Sequence, residues 1–163
     1  MITDEPDNDL SAPPQTTNVF TYGSLMYPDI FAAVSGVSVG HRPAKAINWR
    51  RYALKERTYP GAIAENGACI EGVLWFGVPA DAVSRLDQFE GEEYCVQTLF
   101  VYDTAGIAHR AIIYRWRKPD LIFGDWSTQD FERNHRDTFV AVHLSASESE
   151  QAPSVARQPT DNQ

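Results

Sequence analysis

The chain is poor in the residues that usually announce a chemistry. Cys69 and Cys95 are its two cysteines in 163 residues. They have no C-x-x-C spacing and both sit in strand-like runs, so a disulfide framework is excluded as an organising feature and buried free thiols are expected. The four histidines, His41, His109, His135 and His143, show no mutual spacing that fits a metal on one helix or hairpin, and no metal is expected. No apolar run approaches membrane-spanning length, and the first ten residues are acidic and polar, unlike a secretory leader. The expectation is a cytoplasmic protein with no membrane partner. A basic stripe with interleaved aromatics is missing, which removes nucleic acid from the expected partners. There is no Gly-Lys-Ser/Thr phosphate loop and no Gly-x-Ser-x-Gly nucleophile elbow.

What is present suits one domain. With 43% apolar residues the chain is long enough for a real core and too short for two comfortable ones. Its net charge of −8 belongs mostly to the ends. Residues 1–17 hold Asp4, Glu5, Asp7 and Asp9 with no base, and residues 145–163 hold Glu148, Glu150 and Asp161 against Arg157. The body between them is nearly neutral. Both end segments lack periodicity and enough apolar area to offset the entropy of ordering, so they are expected to be disordered tails around a domain at 18–144.

Within that domain, Val19–Tyr22 is the first expected strand, Gly23-Ser24 a turn, and Pro28-Asp29 the opening of a short helix carrying Ile30, Phe31 and Val34. Ala44–Leu54 is strand-like. Ala62–Ala64 and Ala68–Val78 flank Glu65-Asn66-Gly67, a strong hairpin signal. Pro79 starts a helix with apolar Ala82, Val83, Leu86 and Phe89, ended by Gly91. Tyr94–Tyr102 and Ile107–Trp116 are two further strands around a turn at 103–106, and 117–126 is a loop. Ser127 caps a last helix whose inner face is expected to be Phe131, His135, Thr138, Phe139 and Val142. Five or six strands joined mostly by hairpins, with short helices between, predict an α+β fold, plausibly a sheet curled into a small mixed barrel.

Two places could carry chemistry. A strand that breaks at Gly23-Ser24 into a helix leaves backbone N–H groups pointing the same way, a nest for a carboxylate or phosphate; an ordinary structural turn is the other account. Glu90 lies in the last turn of its helix, where the dipole disfavours a carboxylate, with Asp87, Glu92 and Glu93 nearby. These influences raise its pKa, as general acid–base catalysis wants. A solvated acidic helix end explains the same residues. His135 on an apolar stripe is expected in the core. Trp49, Trp75, Trp116 and Trp126 are core fillers or a pocket wall. Arg50 and Arg51 are a solvated strand face or a contact for an anionic substrate.

Taken in order, Val19–Leu25, Arg51-Tyr52-Ala53-Leu54, Tyr59-Pro60-Gly61-Ala62-Ile63, Glu71-Gly72-Val73-Leu74-Trp75 and Leu86-Asp87-Gln88-Phe89-Glu90-Gly91 with Tyr94 resemble the gamma-glutamylcyclotransferase-like family, particularly its avirulence-induced-gene-type branch. The likeness covers roughly Asn18 to Phe139. It implies a mixed-strand barrel with flanking helices and a pocket at the glycine turn. There the backbone of Tyr22-Gly23-Ser24-Leu25 would hold a glutamyl moiety and Glu90 would move protons. The implied activity is attack of a gamma-glutamyl amino group on its own side-chain amide, giving 5-oxoproline and a free amine, without a cofactor. The turn reads Gly-Ser-Leu-Met, not the Gly-Ser-Asn-Leu of glutathione-pathway members, and is nearer to the branch that acts on gamma-glutamylamines. Tyr22 and Tyr94 are candidate hydroxyl donors to the tetrahedral oxyanion. Two other readings stay open: a non-catalytic module that binds a carboxylate, and a scaffold that recruits partners through acidic tails. The oligomeric state is left open.

Overall fold

Strand-forming residues along the chain assemble one mixed sheet that curls on itself. The structure, a computed structural model, describes residues 15–144. Its strands are β1 (Thr16–Thr21), β2 (His41–Leu54), β3 (Pro60–Pro79), β4 (Tyr94–Asp103), β5 (Ala108–Trp116) and β6 (Ile122–Asp125). Two helices interrupt them, α1 (Pro28–Ser35) and α2 (Ala80–Glu90), and a 3₁₀ turn at Ser24–Met26 follows β1. Antiparallel pairing runs from β1 to β3, β3 to β2, β2 to β4 and β4 to β5. The circuit closes where β5 meets β1 in parallel through Val19 and Ile112. The result is the expected α+β architecture with a barrel-like ring of five strands, β6 lying along β2. Among the described residues no helix is long and apolar enough to cross a membrane.

The ring separates two cores, and β1 serves both. Val19 and Phe20 are each fully buried, yet Val19 packs with the helices while Phe20 points into the strand ring. Successive strand residues face opposite sides, so a continuous apolar pair is what a strand covered on both faces requires. The interior holds Ala44, Ala46, Trp49, Ile70, Leu74 and Ile113. On the other side Ile30, Phe31 and Val34 of α1 dock on Trp75 and Leu86. Phe31 stacks on Trp75 with centroids 3.9 Å apart and planes 6° from parallel. Each such fully buried side chain contributes roughly 1.5–3 kcal/mol, which holds an eight-residue helix that would not form alone.

Several expectations are corrected. Glu65-Asn66-Gly67 is not a hairpin: β3 runs straight through it as one strand paired with β2 on both sides, Trp49 opposite Ala64 and Ile47 opposite Cys69. The extra residues are taken up in a bulge, where Gly67 has φ +85° and its N–H donates to Asn48 Oδ1 at 2.9 Å. The long partner strand decides the outcome over the local turn signal. β1 begins at Thr16, paired with Pro79, so the sheet extends ahead of the expected boundary at 18. The remainder of the two expected tails, 1–14 and 145–163, lies outside the described residues. Residues 122–125, expected in a loop, form β6.

The last helix alternates α and π turns across Thr128–Asp130, Phe131–His135, Arg136–Phe139 and Val140–Leu144. Wider π turns space its inner face more broadly, so Phe131, Phe139 and Leu144 are buried while Thr138 and Val142 are exposed. His135 is not in the core; it pairs with Asp130 at 3.2 Å, partly in solvent. Cys69 is exposed on the outer face of β3 and Cys95 is half-buried, both as free thiols.

Candidate active site

The chain reverses from β1 into the 3₁₀ turn because glycine is required at position 23. A Cβ there would stand 2.8 Å from Cδ of Pro60, so any side chain collides with that ring. Within the turn the N–H of Met26 donates to the Gly23 carbonyl and that of Tyr27 to the Ser24 carbonyl. The N–H groups of Ser24 and Leu25 precede the first bonded donor, as at the start of any helical turn. Arg51, on β2, donates Nη1 to the Tyr22 carbonyl at 2.7 Å. In a planar trans peptide the N–H lies opposite the C=O. The Gly23 N–H therefore points away from Arg51, and Gly23 itself lines a cavity of about 100 Å³.

Tyr22, Gly23, Ser24, Leu25, Glu90 and Tyr94 all line that cavity, so two stretches some sixty-five residues apart in sequence meet in one place. Glu90 is delivered by the end of α2, which stops at Gly91 with φ +79°, a left-handed angle that favours glycine. Glu90 is half-buried as a residue. Burial raises its pKa from 4.5 to about 8, with Asp87 as the second cause. Glu92 and Glu93, expected to contribute, do not. Glu93 is neutralised by Arg57 at 2.6 Å and Lys118 at 3.6 Å, and its own pKa is lowered.

The tyrosines are struts. Tyr22 donates its hydroxyl proton to the Tyr114 carbonyl, Tyr94 donates to the Pro60 carbonyl at 2.7 Å, and Tyr114 donates to Asp87 Oδ1 at 2.6 Å. Burial drives all three phenols well above their ordinary pKa, so they stay neutral. A phenol has one proton to give, and in Tyr22 and Tyr94 it is already engaged. The expected oxyanion role through those two hydroxyls is not what these hydrogen bonds provide.

Sequence reasoning passed over several residues that the fold brings here. Tyr59, Phe89, Phe139 and His143 complete the wall. Tyr114 was one more apolar strand position, and only the three-dimensional pairing with Asp87 distinguishes it. Arg51 was assigned to a solvated face or a substrate contact. Instead it is half-buried, bonded to Tyr22 and laid over the Trp126 ring at 5.2 Å, whereas Arg50 pairs with Glu65 and Asp125. Trp49, Trp75 and Trp116 are core residues, and Trp126 is half-buried beside them.

The sequence profile described as "Gamma-glutamyl cyclotransferase, AIG2-like" matches residues 19–131, from β1 through the turn, Glu90 and Tyr94 to the start of the last helix. The chain belongs to this family. AIG2-like protein A of Arabidopsis thaliana is 28% identical over 143 residues, which span 85% of this chain and 86% of the relative. AIG2-like protein D of the same plant is 30% identical over 131 residues, 77% and 85% of the two chains. A solution structure of an Arabidopsis thaliana protein superposes with a TM-score of 0.62 at 27% identity, covering 88% of this chain and 98% of the other. A structure named gamma-glutamyl cyclotransferase shares the AIG2-like fold with a TM-score of 0.59 at 16% identity, covering 85% and 88%.

Proposed function

We propose that the protein is a cofactor-independent gamma-glutamylcyclotransferase that closes a gamma-glutamyl amine to 5-oxoproline and releases the amine. The observation that carries this reading is one cavity lined both by the Tyr22–Leu25 turn and by a glutamate whose pKa lies near 8. In the reaction the substrate's alpha-amino nitrogen forms a bond to its own side-chain carbonyl carbon, and the bond from that carbon to the amine breaks. The attacking ammonium loses two protons on becoming the ring N–H, and both end on the departing nitrogen, which leaves as an ammonium. The substrate supplies its own nucleophile, so the protein has to bind, fold and shuttle.

Each task has a group suited to it. The N–H groups of Gly23, Ser24 and Leu25 bind the alpha-carboxylate and hold the chain in its ring-closing shape. Fixing reacting groups in this way contributes several kcal/mol and up to ~7–11 in well-placed intramolecular reactions. Glu90 carries these protons one at a time, taking each from the attacking nitrogen and returning it to the departing one. The alpha-ammonium of the substrate keeps its alpha-carboxylate and is more basic than a peptide terminus, so transfer to a carboxylate of ordinary pKa is uphill by more than about 5 kcal/mol, and the rise of the Glu90 pKa from 4.5 to about 8 removes about 5 kcal/mol of that. Tyr22 and Tyr94 contact the substrate through their rings, with their hydroxyls holding the walls in register. The reading carries a small-molecule partner and a cytoplasmic setting, with neither nucleic acid nor membrane involved.

The test is 5-oxoproline release from a panel of gamma-glutamyl amines by wild type and Glu90→Gln, with circular dichroism as the folding control. Turnover is expected in the wild type and a loss of at least a hundredfold in the variant. Undiminished turnover by Glu90→Gln removes Glu90 from the mechanism. Thermal stabilisation by a gamma-glutamyl amine with no product by mass spectrometry favours the non-catalytic carboxylate-binding reading.

A further inference from the structure

Beyond Glu90 the cavity shares its wall with a second hollow. Tyr59, Phe139 and His143 line both, the second being an open groove of about 340 Å³ that runs past Glu56 and Arg57. At the junction, the rings of Phe139 and His143 lie 4.3 Å apart, and Phe89 stands edge-on to them at 6.1 and 6.2 Å. Four rings thus form a collar of wall between the proton-shuttling carboxyl and the groove. Phe139 and His143 come from the last helix, beyond residue 131 where the family match stops, while the turn and Glu90 fall inside it. Tyr59 and Phe89 also fall inside it, so the collar joins matched and unmatched sequence.

The collar's charge is as informative as its shape. Arg57 spends Nη2 on Glu93 at 2.6 Å and Nη1 on the Lys55 carbonyl at 3.2 Å, and its Nε is buried without a partner. His135, also on the groove, is engaged by Asp130. Burial lowers the pKa of His143, so its ring is neutral at pH 7. A carboxylate on the departing amine would meet Glu56 with no uncommitted cation among the described lining residues. Such a group keeps its desolvation cost without a partner, while an apolar ring gains aromatic contacts.

We propose that this collar is the subsite for the departing amine, and that it selects amines carrying an aromatic or apolar arm over amino acids. The inference rests on the cyclotransferase reading and deepens it. The experiment compares gamma-glutamyl benzylamide, gamma-glutamyl methylamide and gamma-glutamyl-alanine in wild type, His143→Ala and His143→Phe. In wild type, kcat/KM for the benzylamide is expected to exceed the other two by on the order of tenfold or more. His143→Ala should collapse the benzyl-to-methyl ratio, chiefly through KM, and His143→Phe should keep it, because the flat face and not the imidazole nitrogens does the selecting. A wild-type ratio near one, a preference for the alanine compound, a ratio unmoved by His143→Ala or one lost in His143→Phe overturns the proposal while leaving the cyclotransferase reading intact. If His143→Ala does not fold, the wild-type ratio and His143→Phe decide. Turnover of none of the three compounds overturns both.

Discussion

Replacing Glu90 with Gln should stabilise the protein at alkaline pH while abolishing its activity. The folded-state pKa of Glu90 is raised from 4.5 to about 8, so between those values the folded chain binds a proton that the unfolded chain has lost. Stability therefore falls as pH rises from about 4.5 and levels off above about 8. Glutamine has the shape of the protonated acid and does not titrate. The two proteins should be equally stable near pH 4, and the variant should gain from there upward. At about 1.36 kcal/mol per pH unit the whole span corresponds to roughly 5 kcal/mol. Glu90 retains some solvent contact, and screening brings the expected gain to about 2–3 kcal/mol. For a domain of this size that is a Tm rise of roughly 6–15 °C at pH 8.5. The assay is urea or thermal unfolding of both proteins from pH 4 to 9, plotted as their difference, in which titrating groups not coupled to Glu90 cancel. A difference that does not change with pH would falsify the claim that the fold withholds a charge from Glu90. A variant less stable at pH 8.5 would show that the carboxylate is welcome there, and the argument for its role as a base would go with it.

Asp87→Asn removes the second cause of the raised pKa and keeps an acceptor for Tyr114. The acid limb of the kcat/KM profile should move to lower pH by less than about 1.5 units, because burial is the larger cause; an unmoved limb refutes the coupling. Arg51→Met leaves the Tyr22 carbonyl without its charged donor. A charged hydrogen bond is worth ~1.5–3 kcal/mol, so kcat/KM should drop by roughly ten- to a hundredfold in a folded protein; unchanged steady-state kinetics would show that the turn needs no support from β2. Gly23→Ala drives a methyl into the Pro60 ring and should cost about 1–3 kcal/mol in chemical denaturation along with most activity. If that variant proves as stable and active as wild type, the close approach is not what glycine is kept for.

Much of this molecule was legible in one dimension. Pro28 and Gly91 mark helix ends whose physics is local, a preset φ at one and a left-handed angle at the other. Ser127 was recognisable for the same reason, since its Oγ accepts from the Asp130 N–H three residues on. The smaller cause of the raised Glu90 pKa, Asp87 three residues back, was legible too, whereas burial, the larger one, was not. The ordered motifs from Val19 to Tyr94 disclosed the family, and with it the α+β barrel-like plan.

What failed in the sequence were decisions made by distant partners. Asn66-Gly67 has the chemistry of a tight hairpin, but β2 continues past it on both sides, and ladder hydrogen bonds along a long strand outweigh one turn. The inner face of the last helix shifted because π turns change the spacing. Arg51 gained its role from a carbonyl twenty-nine residues away, and Tyr114 from a carboxylate on a different element. The sequence alone determined most of the strands and helices, β6 and the unbroken β3 excepted, and which residue types were available for proton transfer, because propensity and capping act within a few residues. Only the folded chain decided how far Glu90 is withdrawn from solvent, that the turn is braced from behind, and that Phe139 and His143 close the far wall, since burial and contact belong to pairs of segments that meet only when the sheet curls shut.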